Sequence, residues 1–167
     1  MFIPFEKLPP QARVWIYHAN IRINSAEEKT ITALLETFCR QWVAHGQPLK
    51  SSFKIERGQF VIMAVDEDYQ NPSGCSIDSS VGVMRQIQAT TGVDFLDRSK
   101  ISFYIDGQVA LIPLTEVKAN FASGRLQAST ITFNTLAATK VELETNWHLP
   151  TEKSWMAKYL SKPALTA

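Results

Sequence analysis

The residues best suited to chemistry lie together in Ser73-Gly74-Cys75-Ser76-Ile77-Asp78, which brings a thiol, two hydroxyls and a carboxylate into six positions. The segment follows an apolar strand and precedes a helical pattern. A helix start there would present unpaired backbone N–H groups and a partial positive charge. That setting favours a thiolate and binds anions. Cys75 is therefore a candidate nucleophile, with Asp78 beside it and Ser73, Gly74 and Ser76 as a candidate anion seat. A nucleophilic thiol also wants a base, and His45, in the loop after the first helix, is the candidate by kind. The plain alternative is that Ser73 or Ser76 caps the helix, Asp78 complements its dipole and Cys75 fills space.

Asp66-Glu67-Asp68 closes the preceding strand. Carboxylates at 66 and 68 would share a side if the strand continued, and with Asp78 they form a weaker candidate seat for a hard divalent cation in a hydrolase. An acidic strand exit is more often a solvated loop. Trp147 and Trp155 flank His148-Leu149-Pro150, where an aromatic groove or simple packing are the two readings. Phosphate-binding loops of the G-x-x-x-x-G-K-[ST] or G-x-G-x-x-G type are absent, as are G-x-S-x-G, H-E-x-x-H and C-x-x-C. His18, His45 and His148 are too scattered for a local metal motif, so no cofactor or metal is implied.

The elements that must position these residues follow from periodicity. Residues 1–12 read as an arm interrupted by Pro4, Pro9 and Pro10. Arg13–Asn20 reads as a strand, apolar on both faces. Ser25-Ala26-Glu27-Glu28 fits a capping box, and Ile31, Leu34, Leu35, Phe38 and Trp42 then mark an amphipathic helix ended by Gly46 and Pro48. Strands are predicted over Ser52–Glu56 and Gln59–Val65, joined at Arg57-Gly58, and the second is apolar throughout. A second helix is predicted from Ile77 to about Thr90, closed by Gly92. Ile101–Ile105 and Gln108–Ile112 then form a hairpin turned by Asp106-Gly107. The order is β-α-β-β-α-β plus one strand, a ferredoxin-like (split βαβ) α+β core with its first and third strands central.

Leu114–Ser123, a segment over Ser129–Phe133, a helix over Thr135–Asn146 and a short one from Trp155 form the predicted helical cover. The expected organisation is one domain over 1–167: arm 1–12, α+β core 13–112, C-terminal cover 113–167. At 167 residues the chain can bury roughly 70% of its unfolded surface. Its 17 basic and 16 acidic residues leave a formal charge of +1, which provides no general attraction for nucleic acid or anionic lipid. Two cysteines argue against a disulfide scaffold, Cys39 reading as a packing residue in the first helix. The first residues do not read as a signal peptide, and no apolar run approaches the roughly 20 residues of a membrane span. The expectation is a cytoplasmic protein.

The combination of Trp42-Val43-Ala44-His45-Gly46, Val65-Asp66-Glu67 running into Ser73–Asp78, Phe133-Asn134, Thr139-Lys140, Glu142-Leu143-Glu144, Trp147 and Ser154-Trp155 resembles a family of small uncharacterised bacterial proteins. The resemblance spans about Trp15 to Trp155. Some members of that family carry an ABC transporter ATPase label, from which this chain departs by lacking a Walker A loop. The resemblance implies that His45, Cys75 and Asp78 recur together, and it supplies no substrate. The leading expectation is a non-catalytic binding or interaction module for a protein or small-molecule ligand, dimeric through a sheet face or edge. Its rival is a small enzyme with Cys75 as nucleophile and His45 as base.

Overall fold

The computed structural model describes residues 1–160. Its described residues form a mixed α+β protein with antiparallel sheets and four α-helices. They cluster into two compact units, one made of residues 1–98 and 135–145, the other of 99–134 with the chain from 146.

The first unit is built on strands β1 (Arg13–His18), β4 (Ser51–Glu56) and β5 (Phe60–Val65), and on helices α1 (Ser25–Gln41) and α2 (Gly74–Thr91). Between α1 and β4, where the sequence predicts a loop, lies a small hairpin of β2 (Val43–Ala44) and β3 (Gln47–Pro48). The sheet order is β1-β5-β4, antiparallel throughout. All six residues of β5 are buried, as a central strand covered on both faces requires. Its Val61, Met63 and Val65 pack with Ile31, Leu35 and Cys39 of α1 and Val83, Met84 and Ile87 of α2. Register puts Trp15, Tyr17, Phe53 and Ile55 on this helical face, and Ile16, Lys54 and Glu56 on the other.

Two local predictions shift. The capping box of α1 sits one residue earlier: the Asn24 side chain accepts the Glu27 amide at 2.8 Å, and the Glu27 carboxylate accepts the Asn24 amide at 3.0 Å. Helix α2 begins at Gly74 rather than Ile77, because Ser73 is its cap, and ends on Gly92 in the left-handed region as expected.

The strand predicted to flank β1 goes elsewhere. β6 (Lys100–Ile105) pairs with β7 (Gln108–Pro113) across Asp106-Gly107, and with β8 (Ile131–Phe133), which pairs with β9 (His148–Pro150). β1 is therefore not central. Among the described residues, its edge away from β5 bonds the backbone of 138–139, through the Val14 amide on the Ala138 carbonyl at 2.9 Å and a bridge from Arg13 to Thr139. The physical reason is that the alternating pattern of β6 fits any sheet with one packed face. Ile101, Phe103 and Ile105 find that packing against Ile112, Val117 of α3 (Leu114–Ala122), Leu126 and Met156.

The C-terminal third is less helical than expected. Helix α4 covers only Lys140–Asn146, and Trp155–Tyr159 is a 3-10 turn. α4 is tied to the N-terminal arm instead of extending back to Thr135. The Lys140 and Val141 amides donate to the carbonyls of Ala12 and Pro10, each at 2.8 Å. Lys140 is itself buried, its ammonium donating to the carbonyls of Leu8 at 2.8 Å and Glu6 at 3.2 Å. No helix among the described residues is long and apolar enough to cross a membrane.

Candidate functional site

Ser73, Gly74, Cys75 and Ser76 form the cap and first turn of α2. The hydroxyls that sequence reasoning offered to an anion are engaged in that cap. Ser73 Oγ accepts the Ser76 amide at 3.1 Å, and Ser76 Oγ accepts the Ser73 amide at 2.6 Å while donating to the Ser73 carbonyl at 2.8 Å. This reciprocal arrangement satisfies one orphan donor of the helix and fixes both side chains. The Ser76 carbonyl accepts the indole N–H of Trp42 at 2.8 Å, a buried bond that ties the end of α1 to the start of α2.

Cys75 is exposed on that turn, and its carbonyl accepts the Ser79 hydroxyl at 2.9 Å. Asp78 is exposed one turn further along, beyond the reach of the terminal N–H groups. His45 occupies the first loop position of the β2–β3 hairpin, exposed, with φ +51 beside Gly46 at φ +74. Two left-handed residues in a two-residue loop match the twist of a hairpin, so His45 and Gly46 are explained by turn geometry. The hairpin and α2 are neighbours, yet no hydrogen bond or ion pair joins His45, Cys75 and Asp78 among the described residues.

The acidic strand exit is also occupied locally. Asp66 is buried to 7% exposure; one carboxylate oxygen accepts the Asp68 amide at 3.1 Å and the other lies 3.8 Å from Lys50. Glu67 pairs with Arg13 at 3.4 Å and Asp68 accepts from Gln11 at 2.7 Å. These are the bonds of an Asx-type turn and its rim, each carboxylate facing its own partner. No group of three or more His, Cys, Asp or Glu side chains is arranged to hold a metal among the described residues.

The aromatic candidates separate. Trp147 packs on Phe133 with ring centroids 5.3 Å apart, whereas Trp155 is exposed and lies edge-on to Tyr159 at 6.2 Å. Lys158 covers both of the latter rings. Cys39 is fully buried, and burial pushes its thiol up to about 12, so it packs rather than reacts. An open depression along α1, lined by Ser25, Glu28, Lys29 and Thr32, holds none of the candidate residues.

Sequence reasoning missed one feature of functional interest, the outer edge of β4. The Ser51 backbone bonds the arm there, its amide donating to the Met1 carbonyl at 2.9 Å and its carbonyl accepting the Ile3 amide at 3.0 Å. Beyond Pro4 the 3-10 turn Phe5–Lys7 stays packed on β4, with the Lys54 ammonium 5.0 Å from the centre of the Phe5 ring, and the outward backbone groups of Phe53 and Ile55 meet no backbone partner among the described residues. An edge depends on which strands become neighbours, which one strand's pattern does not record.

Comparison with known proteins found no matching family model, no matching curated protein and no matching solved structure.

Proposed function

We propose that this chain is a non-catalytic binding or interaction protein of the cytoplasm. The observation supporting this reading is that Ser73 and Ser76 are spent on the cap of α2, with Cys75, His45 and Asp78 unbonded to one another. An enzyme of the rival type would hold its nucleophile against a base that is itself oriented by a third group. Here the serine pair orients only the helix. The core carrying these residues is read as a ferredoxin-like variant: its 1-3-2 strand order and antiparallel pairing are those of the first three strands of a split βαβ fold. The fourth position is left to the backbone of 138–139. That architecture hosts unrelated activities, so it favours no chemistry.

The test is cross-linking of the tagged chain inside its native cell, followed by mass spectrometry. A reproducible protein partner, either another protein or this chain itself, is the expected result. A chain without any partner, but carrying a covalent small-molecule adduct on Cys75, would overturn the reading in favour of the thiol enzyme.

A further inference from the structure

We infer that the outer edge of β7 pairs with the same edge of a second copy of this chain, joining two four-stranded sheets into one. This inference rests on the binding reading and names its partner.

β7 is an outermost strand of its sheet, whose order is β7-β6-β8-β9. The Leu114 amide donates to the Ser99 carbonyl at 2.7 Å, which fixes the hydrogen-bonding phase of the hairpin. Gln108, Ala110 and Ile112 bond β6, and the amides and carbonyls of Val109 and Leu111 point outward. No hydrogen bond reaches those outward groups among the described residues. α3 follows β7 directly and packs Val117 against Ile112 on the face that carries Phe103, so it covers a face of the strand and not its edge. Gln108 is exposed, and Val109, Ala110 and Leu111 are each partly exposed. An unpaired strand edge is a template for another strand.

The strand is complementary to itself. From Gly107 to Leu114 it carries no charge, so two copies meet without opposing like charges, and it lacks the lysine with which edge strands refuse a partner. In an antiparallel pair centred on Ala110, Val109 of each copy stands opposite Leu111 of the other. Every outward amide and carbonyl of these two residues is then matched. Centring on Leu111 would set Val109 against Pro113, which has no amide to donate. Centring on Val109 would run Leu111 into the Asp106-Gly107 turn, where both residues are left-handed. The strand ends agree with the Ala110 register. α3 starts behind Pro113 with no side-chain cap, and its first amides carry a partial positive charge. The antiparallel pair brings the exposed Asp106 of each copy to the end where α3 of the other begins, whereas a parallel pair would set Asp106 beside Asp106. A second copy thus supplies the carboxylate that this helix start lacks, and an unrelated strand does not.

The test is sedimentation of the purified chain over a concentration series, with Leu111→Pro, Leu111→Ala and Asp106→Asn, joined by a cysteine cross-link. The wild type is expected to dimerise. Proline at position 111 removes an outward amide and no bond to β6, so the hairpin survives while association should weaken about tenfold or more. Leu111→Ala keeps the amide and should weaken it less. Asp106→Asn keeps the left-handed turn, removes the charge and should weaken association about threefold or more. Circular dichroism of each variant confirms that its fold is retained. In a Cys75→Ala background, Ala110→Cys faces its own copy across the two-fold axis and should form an intermolecular disulfide on oxidation. Val109→Cys, a diagonal neighbour of its copy at about 7–8 Å, should not. A wild-type monomer, an Ala110→Cys chain that stays unlinked, or a dimer indifferent to Leu111→Pro would overturn the inference. A monomer in sedimentation combined with a different protein captured in the cell removes this dimer and leaves the binding reading standing.

Discussion

Replacing Lys140 with Met removes one buried ammonium and keeps an apolar stem of similar length. The ammonium donates to the Leu8 carbonyl at 2.8 Å and the Glu6 carbonyl at 3.2 Å, lies 3.7 Å from Glu144, and sits over the Phe5 ring. Hydrogen bonds from a charged donor contribute about 1.5–3 kcal/mol each, and the longer bond belongs at the bottom of that range. Relief of the buried charge offsets part of the loss. The expected net cost is therefore about 2–3 kcal/mol, a large share of a typical domain's stability. Glu144 is half exposed, so Glu144→Gln should cost about 0–1 kcal/mol. Urea unfolding measures both. Trypsin supplies a local readout, because freeing the arm exposes Lys7 and Arg13 to cleavage in the Lys140→Met chain. A Lys140→Met chain as stable as wild type, with an arm equally resistant to trypsin, would refute the claim that Lys140 holds residues 5–8 against α4.

The two cysteines should differ sharply toward alkylation: Cys75 reacts in the native protein, while Cys39 labels only on unfolding, as intact mass before and after urea will show. Burial raises the folded Cys39 thiol from 9.0 to about 12. Its contribution to stability is present below the lower value and is lost as pH rises toward the higher one, at about 1.4 kcal/mol per pH unit between them. Cys39→Ala should flatten that alkaline fall in a urea series taken across pH. Asn24→Ala removes the cap of α1 and should cost about 1 kcal/mol in the same assay, whereas Ser25→Ala, outside the box, should cost little.

The local elements were legible wherever one residue type serves one purpose. The apolar run Phe60–Val65 required a central strand, Gly92 required a helix end, and Asp106-Gly107 required a tight hairpin. Neighbour relations were not legible. Nothing in Ile101-Ser102-Phe103-Tyr104-Ile105 distinguishes a place beside β1 from one beside β8, since both would bury the same face. Thr135–Thr139 carried a helical pattern, but its backbone instead meets β1 at Val14 and Arg13. At the candidate site, residue types were read correctly and their engagement was not. Ser73 and Ser76 offer hydroxyls to a ligand or to a helix cap with equal ease in sequence, and in the fold each bonds the other's backbone amide. The edge of β4 was invisible for the same reason as the place of β6.

The central claim is that this chain works by binding, with Cys75, His45 and Asp78 dispensable. Its most direct test compares the cross-linked partners of the wild type with those of the Cys75→Ala/His45→Ala/Asp78→Ala chain in the native cell. The account predicts the same partners in the same yield. Loss of those partners in the triple variant, with the fold intact by circular dichroism, would contradict it.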